Sequence, residues 1–341
     1  MKIALDAMGG DYAPAATVEG AIEALNEDRN ISVILVGNEA EIYSELKKRD
    51  CSDLPVTIKH ASQIVEMDES PLAALRRKKD SSVRVAVDLV KSGDADAMVS
   101  AGNSGVVMAT SLYVLGKLPG VERPAIAAVM PSLKDHFVLI DAGANVDCKP
   151  LHLYQFAIMG EAYARYIFDI ESPRVGLLGI GEEDAKGNEL TRESFKLIKD
   201  SHINFMGNIE GKDIFSGEAD VVVCDGFVGN IALKVSEGLA EAMSKMLKRE
   251  ILENASGKIG SLFLKNALQN FKKKTDYSEY GGAPLLGISK PCIISHGRST
   301  SKAIKNAVKV AGAFHSKGIL DIISEEFNRG LSGREAVAME E

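Results

Sequence analysis

The residues of this chain best suited to chemistry are acids, amides, serines and one histidine placed beside glycine, each group at the end of a short apolar run. The first is Asp6-Ala-Met-Gly9-Gly10-Asp11, followed by Tyr12-Ala-Pro14. Gly9 and Gly10 allow close backbone approach or a positive φ. Pro14 suits the first turn of a following helix, whose free N–H groups carry about half a positive charge and outline an anion site. A purely structural account makes this a tight turn with Asp11 as helix cap. Against it, Asp6 ends a strand, the usual place for a functional polar group when strands and helices alternate.

The same form returns at Ser100-Ala-Gly-Asn103-Ser104-Gly105. The second glycine follows Ser104 directly, so this is not the G-x-S-x-G nucleophile elbow; its chemistry would be backbone amides and a hydroxyl on phosphate. Asp141-Ala-Gly-Ala-Asn145 adds an acid and an amide. Lys186 and Asn188 stand in an acid-rich loop, Asp225-Gly-Phe-Val-Gly-Asn230 repeats the acid–amide pairing, and Ser295-His296-Gly297 ends the series. Folding asks only for glycine at such turns, so the recurring polar neighbours predict one shared polar site. Within it His296 is the natural proton carrier near neutral pH, although a histidine closing a buried strand is more often a satisfied core residue. Cys292 and His296 lie about 13 Å apart on an extended strand, too far to share a metal ion.

Two nucleotide-binding patterns fail. The GxxxxGK[ST] loop is absent. The closest dinucleotide fingerprint, Gly179-Ile-Gly181-Glu-Glu-Asp184, puts an acid at the third glycine and negative charge where pyrophosphate would lie. Neither a cofactor nor a metal is expected.

The elements that must position these turns are legible from periodicity. KIALD, ISVILVG, DAMVSAG, HFVLIDAG, RVGLLGIG, ADVVVCDG and PCIISHG read as strands, most of them followed by a helix-period segment. Val18, Ala21, Ile22 and Leu25 form one helical stripe, and Phe156, Met159, Tyr163 and Ile167 another. The pattern predicts a three-layer α/β/α sandwich on a largely parallel, Rossmann-like sheet, with the glycine turns converging at its carboxyl edge. AIAAVMP followed closely by HFVLIDAG reads as an antiparallel excursion. Residues 230–275 carry helical period without a strand, broken at Asn254-Ala-Ser-Gly257, and are expected to form a helical hairpin standing off the sheet. No linker interrupts residues 1–341, which are expected to form a single domain.

The 341 residues are 45% hydrophobic and 26% charged, enough for a sizeable core. A net charge of −8 gives the surface as a whole no attraction for nucleic acid. The four cysteines lack metal-site or disulfide spacing. Met1 leads straight into a strand, and no run reaches the roughly 20 apolar residues of a membrane span; a cytosolic protein is expected.

Two basic features stand out on this acidic chain. Arg76, Arg77, Lys78 and Lys79 close a short helix, either as a solvated helix end or as a landing patch for an acidic partner or phosphate. From Lys258 to Lys274, Ile259, Phe263, Leu264, Ala267, Leu268 and Phe271 fall on one half of a helix, and Lys258, Lys265 and Lys272 on the other. Packing on a partner helix or across a dimer interface is one account. The favoured one is a basic amphipathic helix lying on an anionic membrane through Phe263, Leu264, Leu268 and Phe271.

In order, LDAMGGDYAP, RRKKDSS, SAGNSG, RPAIA, LIDAGANVD, KPLHLYQFAIMG, SPRVGLLGIGEEDAKGNEL, DGFVGN, EYGGAPLLGI and SHG resemble the bacterial phosphate acyltransferase (PlsX) family, from residue 1 to about 315. The resemblance implies that inorganic phosphate attacks the thioester of a long-chain acyl carrier protein, giving acyl phosphate for a membrane glycerol-3-phosphate acyltransferase early in phospholipid synthesis. It further implies a homodimer, reversibly attached to the inner face of the cell membrane, with a fold related to phosphotransacetylases. A phosphotransacetylase-like enzyme using acyl-CoA and a non-catalytic membrane scaffold are the competing readings.

On the family reading, phosphate and substrate are expected against Asp6, Gly9, Gly10, Asp11, Asn103, Ser104, Gly105, Asp141, Asn145, Asp225 and Asn230. Lys186, His296 and Asn188 form the expected catalytic set, and Arg76, Arg77, Lys78 and Lys79 the carrier-protein patch. Tyr12 stands where the family often has histidine, and Glu182 where it often has threonine, so neither position is assigned a role.

Overall fold

The computed structural model describes residues 1–253, 256, 260–261, 263–275 and 279–327. Eleven strands form one sheet in the order β3 (Val56–His60), β2 (Ser32–Gly37), β1 (Lys2–Asp6), β4 (Ala97–Ser100), β11 (Cys292–Ile294), β10 (Ala283–Leu286), β5 (Ala125–Pro131), β6 (His136–Ile140), β9 (Val221–Val223), β7 (Val175–Gly179) and β8 (Phe205–Glu210). Side-chain alternation along each strand sets the layers. Ile3, Leu5, Val99 and Ile293 join the core on one face, under α1 (Ala15–Glu27) and α10 (Ser301–Ser316). Ala4, Met98, Cys292 and Ile294 join the opposite core, under α4 (Ser82–Ser92) and α5 (Ser104–Leu115).

In the second half of the sheet, Val138, Ile140, Val221 and Val223 pack under α6 (Pro150–Ile167), which lies beside α7 (Glu189–Lys199). Phe137, Leu139 and Val222 turn to the other side. Short α2 (Glu39–Leu46) packs on β3, and α3 (Pro71–Arg77) on α5. The three-layer α/β/α architecture is the expected one. Both helical stripes face the core, with Ile167 at its margin.

The sheet is largely parallel, as expected, but it carries more reversals than the one excursion expected. β3, β2, β1, β4 and β11 are parallel, as are β6, β9, β7 and β8. Three antiparallel pairings separate the two sets: β11 with β10, β10 with β5, and β5 with β6, the last being the expected excursion. An odd number of reversals leaves the two parallel sets pointing in opposite directions. The carboxyl-end turns therefore fall into two groups at opposite ends of the strands, not at one shared edge.

The connection between the groups is α8 (Gly226–Glu253), which starts four residues before the expected hairpin. Among the described residues of α8 only Gly226 and Gly229 are buried, so beyond its first turn the helix stands largely in the open. A second helix, α9 (Lys265–Thr275), follows. Asn254, Ala255 and Gly257 of the expected break, together with Lys258, Ile259 and the side chain of Lys272, lie outside the described residues. Among the described residues no helix is long and apolar enough to cross a membrane.

Candidate active site

The turns after β1, β4 and β11 interlock. Asp6 is buried; its Oδ2 accepts from Ser100 Oγ at 2.7 Å and its Oδ1 from the Met8 N–H at 3.2 Å. Ser100 Oγ in turn accepts from the Gly102 N–H at 3.1 Å. Burial raises the Asp6 carboxyl above its ordinary range, opposed by hydrogen bonds from Ser82, Ser100, Met8 and Gly9. A Cβ on Gly9 would stand 2.7 Å from both Asp6 Oδ2 and Gly102 N, and one on Gly10 would stand 2.9 Å from Gly297 O. The Asp11 N–H donates to that same Gly297 carbonyl at 2.7 Å. The bare sides of Gly9 and Gly10 thus face the backbones of neighbouring turns. The cavity beside Asp6, lined by Val65, Ser82, Val83, Asn103, Val106 and Val107, measures about 10 Å³, room for roughly one water molecule.

Asn103 caps α5, its Oδ1 accepting from the Val106 N–H at 3.1 Å. Its Nδ2 donates to the carbonyls of Met67 and Glu69 at 2.8 and 3.0 Å, which ties residues 61–70 over this end of the sheet. Lys78 Nζ holds the same loop from the other side, through Ile64 O and Glu69 Oε2, both at 2.6 Å. Lys78 therefore serves the loop, while Arg76, Arg77 and Lys79 remain exposed. Ser104, the first residue of α5, is exposed, and Gly105 is half-buried.

His296 is half-buried and held at both ring nitrogens. The Arg298 N–H donates to Nδ1 at 3.1 Å, and Lys234 Nζ of α8 lies 2.7 Å from Nε2. Lys234 also donates to Glu237 Oε2 at 2.9 Å, and that carboxylate lies 3.8 Å from the ring. Burial lowers the tendency of His296 to take a second proton. The charges of Lys234 and Arg298 act the same way, against those of Glu237 and Asp11.

The second group of turns is closed by Asp141. Its Oδ1 accepts from the N–H groups of Ile126, Gly143 and Ala144, and its Oδ2 from the backbone and side-chain N–H of Asn145, all between 2.7 and 3.1 Å. Asn145 Nδ2 also reaches Pro124 O at 2.7 Å. Both residues are buried, and these contacts fix their own loop. Asp225 Oδ1 accepts from the Val228 N–H at 2.9 Å, capping α8, and exposed Asn230 borders Gly143. Asn188 caps α7 through the Thr191 N–H at 2.9 Å. Lys186 is exposed, and among the described residues no hydrogen bond or ion pair ties its ammonium to either group.

The expected residues thus separate. Asp6, Gly9, Gly10, Asp11, Asn103, Ser104, Gly105 and His296 come together; Asp141, Asn145, Asp225 and Asn230 form a second cluster; Lys186 and Asn188 stand on the loop after β7, at the same end of the strands as the second cluster. Sequence reasoning missed Lys234 and Glu237. Their signal was present: Asn230, Lys234 and Glu237 are spaced i, i+4, i+7, which places them on one face of a helix.

Solved structures share this fold. A phosphotransacetylase from Streptococcus pyogenes aligns with a TM-score of 0.62 at 20% identity, covering 92% of this chain and 94% of that one. A branched-chain phosphotransacylase from Enterococcus faecalis aligns at 0.56 and 14%, covering 92% and 99%. The fold class is therefore that of the phosphotransacylase-type α/β proteins. A family model described as "Fatty acid synthesis protein" matches residues 1–321. A phosphate acyltransferase of Thermodesulfovibrio yellowstonii is 59% identical over 329 residues, 96% of this chain and 95% of that protein. One of Geobacter sulfurreducens is 54% identical over 326 residues, 96% and 94%. The chain belongs to the bacterial phosphate acyltransferase family that its motifs resemble.

Proposed function

We propose that this protein is a phosphate acyltransferase that moves a long-chain acyl group from acyl carrier protein to inorganic phosphate. The observation that carries the reading is 59% identity, across 96% of the chain, to a protein named for phosphate acyl transfer. An oxygen of hydrogen phosphate attacks the thioester carbonyl, the carbon–sulfur bond breaks, and the proton given up by phosphate ends on the carrier thiol. No covalent enzyme intermediate is invoked.

The exposed rim of the first group of turns suits this chemistry. Ser104 offers a hydroxyl and a helix start for a phosphate oxygen or the developing oxyanion, and His296 offers a proton carrier. Asp6, Gly9, Gly10 and Asn103 support this reading as the scaffold that sets the rim, with Asp11 and Gly105 on it. Asp141, Asn145 and Asp225 set the start of α8 in the same way. Lys186, with Asn188 shaping its loop, is proposed as a countercharge that closes on substrate.

Arg76, Arg77 and Lys79 suit a carrier protein of acidic character. The exposed Phe263, Leu264 and Phe271 and partly buried Leu268 suit a membrane surface, from which an acyl phosphate too apolar for water would pass to a glycerol-3-phosphate acyltransferase. The reading places the protein in the cytoplasm, as a homodimer on the inner membrane face.

The test is to incubate the purified protein with palmitoyl carrier protein, with and without phosphate, and to follow thiol and acyl phosphate by mass spectrometry. Phosphate-dependent release of both is expected. Turnover with palmitoyl-CoA alone would move the protein to the phosphotransacetylase type of donor, and no turnover with either would leave the scaffold reading.

A further inference from the structure

Lys234 is not part of any motif that drew attention in the sequence, yet its ammonium lies 2.7 Å from His296 Nε2 on the rim. It arrives from far away in the chain. α8 starts in the second group of turns, where Asp225 caps it and Gly226 donates to Asn145 O at 2.8 Å. Eight residues on, about 12 Å along the helix axis, Lys234 meets His296 of the first group. One helix thus runs from the second group of turns to the first, where Lys234 and Glu237 both approach His296.

The contact constrains the ring. A neutral imidazole has one lone pair and one N–H. His296 faces two donors, the Arg298 N–H at Nδ1 and the Lys234 ammonium at Nε2, so they compete for that lone pair. An imidazolium would face both with no lone pair at all, and Glu237, at 3.8 Å, is the carboxylate on α8 placed to offset them. Among the described residues, the charged groups facing the ring include Lys234 and Glu237 from α8, Arg298 from the turn after β11 and Asp11 from the turn after β1.

We propose that Lys234 is a positioning residue for His296: it holds the ring neutral with Nε2 as the accepting nitrogen, its ammonium turns from Nε2 to the arriving phosphate, and the lone pair so released takes the proton of the attacking phosphate and passes it to the departing thiolate. This rests on the phosphate acyltransferase reading for the reaction, but not for the Lys234–His296 contact itself. The step balances: hydrogen phosphate loses one proton as its oxygen joins the acyl carbon, His296 holds it as the carbon–sulfur bond breaks, and the thiolate receives it. No other reactant is consumed.

The experiment has two readouts. First, the His296 ring is titrated by NMR in the wild type, Lys234→Met and Lys234→Arg, with His296→Gln to assign the signal among the six histidines. Removing the cation should move the His296 midpoint to higher pH, while Lys234→Arg, which keeps the charge, should leave it close to wild type. A midpoint unchanged in Lys234→Met overturns the proposal. Lys234 is partly exposed on an open helix face, so the variants should fold. Second, phosphate-dependent thiol release is measured against pH. The acidic limb should move upward with the NMR midpoint in Lys234→Met, and His296→Gln should lose about 10²–10⁴-fold in rate. A limb that stays put while the NMR midpoint moves would remove His296 from proton transfer and sink the catalytic half. If the wild type releases no thiol at all, the functional reading fails, while the titration still decides whether Lys234 governs the ring.

Discussion

Gly9 and Gly10 show how one residue type lets neighbouring turns close on one another. The Gly-Gly step after Asp6 reads as an open anion cradle, but the space that glycine frees is taken by Gly102 and Gly297. Its product is a tight junction of three turns, with Asp6 buried as the buckle. That burial has a measurable sign. With its proton affinity raised in the folded state, Asp6 contributes stability that is fully present below its unfolded pKa, about 3.9, and is lost as pH rises through the folded value. Relative to Asp6→Asn, the wild type should therefore lose stability as pH increases from about 4 toward neutrality. Urea midpoints of the two proteins across that range check it; a difference independent of pH would mean the carboxyl titrates alike in both states.

At the scale of elements, α8 depends on one close approach. A Cβ at Gly229 would overlap the Asp141 carbonyl oxygen, a backbone atom that cannot swing aside. Gly229→Ala should cost about 1–3 kcal/mol or more and displace Lys234 from His296, with phosphate-dependent turnover falling in step. Gly238, on the same helix, has open space around it. Gly238→Ala should stabilise the helix by roughly 0.5–1 kcal/mol and leave turnover unchanged. Equal urea midpoints for both variants would show that α8 is not locked at its start.

The elements themselves were legible where apolar runs were long and buried on both faces, as in β1, β4, β6, β7, β9 and β11. β3 and β8 lie at the sheet's two edges with half-exposed patterns, and β10 is a short antiparallel strand carrying Pro284. None of these carries a strong period. The site was legible as a set of turns, but its division into two groups was not. Strand direction depends on pairings between segments as distant as residues 126 and 285, which no local pattern encodes. Lys234 stayed hidden because a lysine on an open helix is unremarkable until its neighbour is known.

For the molecule as a whole, the open length of α8 and α9 has to serve two proposed partners, a second copy of the chain and a membrane. Ile231, Val235, Leu239, Met243 and Met246 recur at spacings of three and four and are all exposed, a continuous apolar stripe of the kind that seeks a protein partner. The exposed Phe263, Leu264 and Phe271 lie instead among Lys265, Lys273 and Lys274, a mixture suited to anionic lipid headgroups over an acyl layer. On a chain of net charge −8, only such a local cluster can overcome the repulsion of an anionic surface. If the two surfaces are separate, their disruption should separate as well. Leu239→Glu should shift the protein from dimer to monomer in sedimentation velocity while leaving its co-sedimentation with anionic liposomes intact. The double variant Phe263→Glu/Phe271→Glu should do the reverse, with binding that in the wild type weakens as salt screens the lysines. Loss of both properties in either variant would mean that dimer and membrane share one surface, and that α8 and α9 must be treated as a single docking element.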